Sequence, residues 1–363
     1  MIRFDNVSKV FPGGTTAVDR LSLEVPKAKL TVFVGSSGSG KTTALRMINR
    51  MVEPTSGTIT VDGADVSAVN PVKLRLGMGY VIQHAGLMPH RRVIDNVATV
   101  PVLKGQSRRS ARKAAYEVLE RVGLDRKLAT RYPAQLSGGE QQRVGVARAL
   151  AADPPILLMD EPFSAVDPVV RHELQNEILR LQSELHKTIV FVTHDIDEAL
   201  RLADQVAVFR DGALQQYDQP ARLLSRPAND YVSRFIGLGR GYRWLQLMDA
   251  DGLSLHGVER IPVDRLPDAG VPHDWAVVVN DEGVPLGWID ADGLRRNRAG
   301  ASLSDSMQGI GSLFRPRGNL SQALDAALSS PASVGVAVDG DGKLIGGVLA
   351  ADVLAAAEAR RRS

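Results

Sequence analysis

Nine consecutive residues, Gly35, Ser36, Ser37, Gly38, Ser39, Gly40, Lys41, Thr42 and Thr43, have the types and spacing to hold a chain of phosphates. They fit the pattern G-x-x-x-x-G-K-[ST]. The glycines let the backbone fold tightly, so that successive N–H groups point inward at the positive end of a following helix, where an anion is favoured. Lys41 then reaches the β- and γ-phosphates, and the Thr42 hydroxyl offers Mg²⁺ the hard oxygen ligand it prefers. Such a loop works only between a strand and a helix. The apolar run 30–34 predicts a buried strand, and residues 43–49 predict a helix.

Other stretches carry chemistry that a bound nucleotide would use. Residues 155–159 predict a buried strand that delivers Asp160 and Glu161 at its tip. Asp160 would hold Mg²⁺ through its water shell, while Glu161 would polarise an attacking water. Neighbouring residues of a strand face opposite ways, so the two acids can divide these roles. The following loop, Ser164 to Asp167, is placed to cross a subunit boundary. Residues 188–193 predict another strand, ending in His194, which would touch a γ-phosphate. Gln83 closes a predicted strand at 79–83; it either senses Mg²⁺ and a docked partner or is an ordinary polar loop residue. Phe11, in the turn-rich loop 9–14, either stacks on an adenine, a contact worth about 1–3 kcal/mol, or pins the loop as a core aromatic.

Residues 136–143 open a predicted helix that runs through Val146 and Leu150. Ser137 is a good N-cap, and Gly138 and Gly139 let a ligand approach the backbone at the positive helix end. One nucleotide site per chain needs no second phosphate surface. The arrangement therefore implies that this one completes the ATP site of a neighbouring subunit.

The elements that must position these residues belong to a chain of 363 residues, which exceeds one ordinary domain and predicts two or three. Apolar residues at 44% suffice for packed cores. The 44 Lys and Arg against 41 Asp and Glu leave a net charge of only +3, and the cations are dispersed, so the pI near 9.1 does not argue for a nucleic-acid partner. With no cysteine, disulfides and thiolate metal sites are excluded, which suits a reducing compartment. The first residues lack a signal peptide's apolar stretch, and no run of about 18 apolar residues predicts a membrane span. Strands are expected at 2–7, 17–25 and 57–61, the last followed by a tight Asp62-Gly63 turn. A mostly helical insertion is expected over 84–92 and 107–122, its basic face solvated. Asp211-Gly212 marks a hairpin, residues 227–237 close the first domain, and 239–241 read as a linker. Residues 277–289 reappear at 336–348, about 59 positions later. Each copy reads as strand, Asp/Gly turn, strand and helix, whereas the region 247–266 ahead of the first copy is degenerate or shortened.

The phosphate loop, Gln83, the Leu-Ser-Gly-Gly-Glu-Gln run at 136–141, Asp160-Glu161, the Ser164–Asp167 loop and His194 occur in an order and spacing that closely resemble the nucleotide-binding subunit of an ABC transporter. The resemblance covers roughly residues 1–236. It implies an α/β P-loop NTPase fold, a RecA-like core with a helical subdomain at about 85–152. A linker at 237–241 and a smaller α+β domain at 242–363 would follow; the latter resembles a tandem CBS pair with a degenerate first repeat. It further implies a head-to-tail homodimer in which MgATP lies between one subunit's phosphate loop and the other's Ser137 and Gly139, with Lys41 and His194 on the γ-phosphate. A separate membrane permease docking near Gln83, an extracytoplasmic substrate-binding protein and a peripheral location at the cytoplasmic face of the inner membrane belong to the same expectation.

An ABC subunit with a trailing CBS pair resembles the ATPases of importers for glycine betaine, carnitine, choline or proline. CBS modules that bind adenosine ligands show G-x-x-T-x-x-D. Here the threonine positions hold Asp290 and Leu349 and the aspartate positions Gly293 and Asp352, so only Asp352 matches. A nucleotide effector, an ionic-strength sensor and a plain dimerising module all stand as readings. Contacts of Arg295, Arg296 and Arg298, or of Arg360, Arg361 and Arg362, with anionic lipid would report osmolarity; a solvated charged face is the alternative. A soluble ABC protein acting on ribosomes or DNA is a second functional class, but such proteins commonly carry two motif sets or long coiled-coil insertions. A nucleotide sensor with a vestigial ATPase fits poorly with intact Lys41, Asp160, Glu161 and His194.

Overall fold

The computed structural model describes residues 1–83, 86–164, 166–270 and 274–362. His84 and the start of the expected helical subdomain at Ala85 lie outside the described residues, as do Ala165 of the Ser164–Asp167 loop and the side chains of Arg361 and Arg362. The chain divides into two compact units, Met1–Gly237 and Leu238–Ser363.

The first unit is built on β1 (Ile2–Val10), β2 (Thr16–Val25), β3 (Leu30–Gly35), β4 (Ser56–Val61), β5 (Ala64–Asp65), β6 (Met78–Val81), β7 (Ile156–Asp160), β8 (Thr188–Thr193), β9 (Gln205–Arg210) and β10 (Ala213–Asp218). They form an antiparallel sheet, β2-β1-β4-β5, and a six-stranded sheet, β10-β9-β3-β8-β7-β6, parallel except at β10. Strands β3, β7 and β8 are buried along their whole length and read as continuous apolar runs, as strands covered on both faces must. Phe4, Phe33 and Phe209 pack edge-on and tilted through the shared core, which also takes in Leu45, Met47 and Ile48 of the helix Lys41–Ile48.

The register sets the site. Val34 pairs with Thr193, Asp160 with Val192, and Val81 with Met159, so the carboxyl ends of four neighbouring strands finish at one edge. Open parallel sheets bind ligands at that edge.

The insertion differs in one respect from the sequence expectation. Residues 86–92 form turns, and helices follow at Val93–Val97, Thr99–Leu103 and Arg108–Arg121. Buried Asn96 explains the turn: its amide Oδ1 accepts from Met88 N, and its Nδ2 donates to the carbonyls of Met88, Arg91 and Arg92.

In the second unit β11 (Arg260–Pro262), β12 (Trp275–Val279) and β13 (Pro285–Asp290) form one sheet, and β14 (Leu313–Phe314), β15 (Val334–Val338) and β16 (Leu344–Leu349) form another with the same parallel-then-antiparallel pairing. The ten-residue helix Leu320–Ser329 joins β14 to β15, whereas a shorter 3₁₀ turn, Val263–Asp268, stands between β11 and β12. Buried Trp288 packs with Val277, Val279, Val336 and Val338 between the two sheets. The expected linker is cut short, because Arg240 and Gly241 already belong to the helix Arg240–Gln246. Among the described residues, no helix is long and apolar enough to cross a membrane.

Candidate active site

The loop after β3 turns into the helix Lys41–Ile48 at Gly40, whose left-handed φ of 95° only glycine adopts freely. A Cβ there would stand 2.1 Å from the Ala17 carbonyl oxygen. No side chain caps this helix, so its first N–H groups are available to an anion. Lys41 is only 4% exposed, and its ammonium donates to the carbonyls of Gly35 (2.9 Å) and Ser36 (2.8 Å) and to Ser39 Oγ (3.3 Å). Burial pulls its pKa below the ordinary value, with Glu161 and Asp160 partly opposing. A phosphate chain would supply the counter-charge that this buried ammonium lacks.

Thr42 Oγ1 donates to Asp160 Oδ1 at 2.7 Å, which brings a hydroxyl and a carboxylate oxygen together at the strand edge. That pair of hard oxygens fits Mg²⁺. Arg46 Nη2 holds the other oxygen, Oδ2, at 3.3 Å, and the Tyr80 hydroxyl, whose pKa burial pushes up, lies 3.5 Å from it. Neither Arg46 nor Tyr80 was expected from motif reading. The signal was present for Arg46, four residues after Thr42 and so on the same helix face.

Glu161 lies just past β7 with φ of 44°, so the division between the two acids comes from a left-handed turn rather than from strand pleating. Its Oε2 receives Gln83 Nε2 at 3.2 Å and meets His194 Nδ1 at 3.2 Å. Gln83 sits two residues beyond the end of β6 and points at the carboxylate; among the described residues no hydrogen bond joins it to Thr42 or Asp160. The structure thus gathers Lys41, Thr42, Gln83, Asp160, Glu161 and His194 from four strand ends.

Phe11 is 38% exposed on the β1–β2 turn, which sets it outside the core, and Lys9 Nζ lies over its ring 5.2 Å from the centre. Ser137 caps the helix Gly138–Leu150 in a reciprocal box: its Oγ accepts from Glu140 N, and its own N–H donates to Glu140 Oε2 at 2.7 Å. A Cβ on Gly139 would lie 2.7 Å from Val170 Cγ1, so packing within the chain already leaves this position little room for a side chain. Among the described residues, no hydrogen bond ties Ser137, Gly138 or Gly139 to the phosphate loop of the same chain.

The family pattern described as ABC transporter matches residues 18–164. The osmoprotectant import ATP-binding protein OsmV of Salmonella typhimurium is 39% identical over 99% of this chain and 98% of its own length. The chain belongs to the ABC transporter ATP-binding proteins. The carnitine transport ATP-binding protein OpuCA of Listeria monocytogenes is 42% identical, covering 83% of this chain and 78% of its own. Among solved structures, the dimeric bacterial ABC transporter cassette MJ0796 matches 61% of this chain and 99% of its own at TM-score 0.57 and 33% identity. A post-hydrolysis state of that cassette, bound to ADP and Pi, matches equally at 32% identity. As an ABC ATPase the chain binds and hydrolyses ATP.

The second unit of this ABC protein explains its departures from the adenosine-binding pattern. A Cβ on Gly293 would stand 2.1 Å from the Ser306 carbonyl oxygen, so no aspartate fits there. Asp290, at the threonine position, caps its own helix through Gly293 N at 2.7 Å. Asp352, the one match, is taken by His256 Nε2 at 2.6 Å. A nucleotide bound in the first copy by that pattern is therefore blocked.

Proposed function

We propose that two copies of this chain, at the cytoplasmic face of the inner membrane, hydrolyse MgATP to drive import of an osmoprotectant, either a quaternary amine such as glycine betaine, carnitine or choline, or proline. A separate permease and an extracytoplasmic substrate-binding protein complete the transporter. The observation that carries this reading is the full-length likeness to OsmV, which extends through the second unit and not only through the ATPase. In each site Lys41 and the loop amides bind the phosphates, and Phe11 stacks on the adenine. Thr42 and Asp160 would hold Mg²⁺, which neutralises phosphate charge when bound. Glu161, oriented by Gln83 and His194, draws the proton of the attacking water, and His194 stabilises charge on the γ-phosphate. Ser137 of the second copy closes the site.

The permease is assigned to a groove of about 520 Å³ lined by Met88, Arg91, Asp95, Ala98, Val102 and Leu103. It follows Gln83 in the chain, and its apolar floor with an arginine rim suits an amphipathic helix. Reconstitution with its permease in liposomes, assayed against a panel of quaternary amines and proline, tests the substrate class. ATP-dependent uptake of at least one is expected; uptake of none rejects the assignment.

A further inference from the structure

Directly behind His194 lies a buried polar cluster that the reaction above does not use. Thr193, the last residue of β8, is 2% exposed; its hydroxyl donates to Glu198 Oε2 at 2.6 Å and accepts from Asp195 N at 3.0 Å. Glu198, in the helix Ile196–Leu202, is 7% exposed, and its second oxygen accepts from Gln175 Nε2 at 3.3 Å. Arg171, in the helix Pro168–Leu185, faces the same carboxylate at 3.9 Å and Asp195 at 3.8 Å, and its Nη2 donates to the Val166 carbonyl at 3.2 Å. Its buried Nε finds no hydrogen-bond partner at this spacing. A cavity of about 40 Å³ separates these groups from Glu161 and Ser164.

A carboxylate buried in a core is costly, and burial indeed pushes the Glu198 pKa up. An apolar residue would pack the same space without that cost, so the cluster needs a use. Its two ends supply one. One end fixes the backbone on either side of His194; the other grips the Ser164–Asp167 loop, which is the segment expected to cross the subunit boundary.

We propose that Glu198 and Thr193 are positioning residues for His194, and that Arg171 ties them to the Ser164–Asp167 loop, so that the histidine's aim depends on how that loop is held. This rests on the reading that His194 acts at the γ-phosphate. It assigns Glu198 no contact with ATP: the carboxylate sets the Thr193 hydroxyl, and that hydroxyl sets the Asp195 amide, on which the His194 backbone hangs.

The test is steady-state ATP hydrolysis by the full-length protein with Thr193→Val, Thr193→Ser, Glu198→Gln and His194→Ala, singly and combined. Thr193→Val should lower kcat about tenfold with the KM for ATP changed less than about twofold, and Thr193→Ser should restore the rate. In the His194→Ala background, Thr193→Val should cost nothing further, because the group it positions is gone. Should Thr193→Val fail to fold, Glu198→Gln, which keeps the shape and removes the charge facing Arg171, serves with the same expectations for KM and for the double variant. Wild-type kcat in the folded variant, or losses that multiply those of His194→Ala, would overturn the proposal. Wild-type kcat in His194→Ala itself would instead remove the catalytic reading beneath it.

Discussion

At Glu161 a single carboxylate oxygen meets both Gln83 and His194, and this sharing fixes the orientation of the carboxylate. Glu161→Gln keeps the shape and loses the basicity, so hydrolysis should fall by about 10²–10⁴ while ATP binding persists. Single-turnover rates with size-exclusion chromatography check both halves, since ATP that is bound but not cleaved should leave a stable dimer. A second expectation concerns pH. Burial raises the Glu198 carboxyl above the ordinary 4.5, with Asp195 adding to the shift and Thr193, Arg171 and Gln175 opposing it. The folded state therefore holds this proton more tightly than the unfolded chain. The resulting stability is complete below about pH 4.5 and is lost as pH rises through the raised folded value. Denaturant unfolding of wild type and Glu198→Gln across pH should show the wild type losing ground to the variant over that interval. The residues that face ATP were legible because their chemistry demands fixed types at fixed spacing. Arg46 was signalled only by its place four residues after Thr42; Thr193, Glu198 and Arg171 were not legible, because no fixed spacing marks such a cluster and Gln175 and Arg171 reach Glu198 only through the fold.

At the scale of elements, the strand-to-helix turn at Gly40 has no tolerance. Gly40→Ala forces a side chain into the Ala17 carbonyl and into a left-handed backbone. A loss of about 1–3 kcal/mol is expected in urea unfolding, with weaker nucleotide binding in the same variant. The strands were readable because β3, β7 and β8 are unbroken apolar runs, and the hairpins because Asp62-Gly63 and Asp211-Gly212 take positive φ. The turns at 86–92 were not, since their stability comes from one buried amide, that of Asn96. The linker was drawn too long for a related reason: the glycines at 239 and 241 suggest loop, yet Gly239 serves as the left-handed N-cap of a helix that already includes Gly241.

At the scale of the whole molecule, each of the two units has buried core of its own among the described residues. All three tryptophans, Trp244, Trp275 and Trp288, belong to the second unit. Tryptophan fluorescence thus follows that unit alone, while circular dichroism follows the whole chain. MgATP at about 100 times its dissociation constant should stabilise the first unit by about 2.7 kcal/mol. A rise in the dichroism transition with an unmoved fluorescence transition is the expected result. One feature of the first unit reaches this scale. The left-handed backbone at Glu161 is a standing burden of about 1–2 kcal/mol for any residue with a side chain, and glycine would lift it. A library of variants sorted only for heat tolerance would therefore drift toward glycine there, and would collect sturdy proteins that grip their fuel and never burn it.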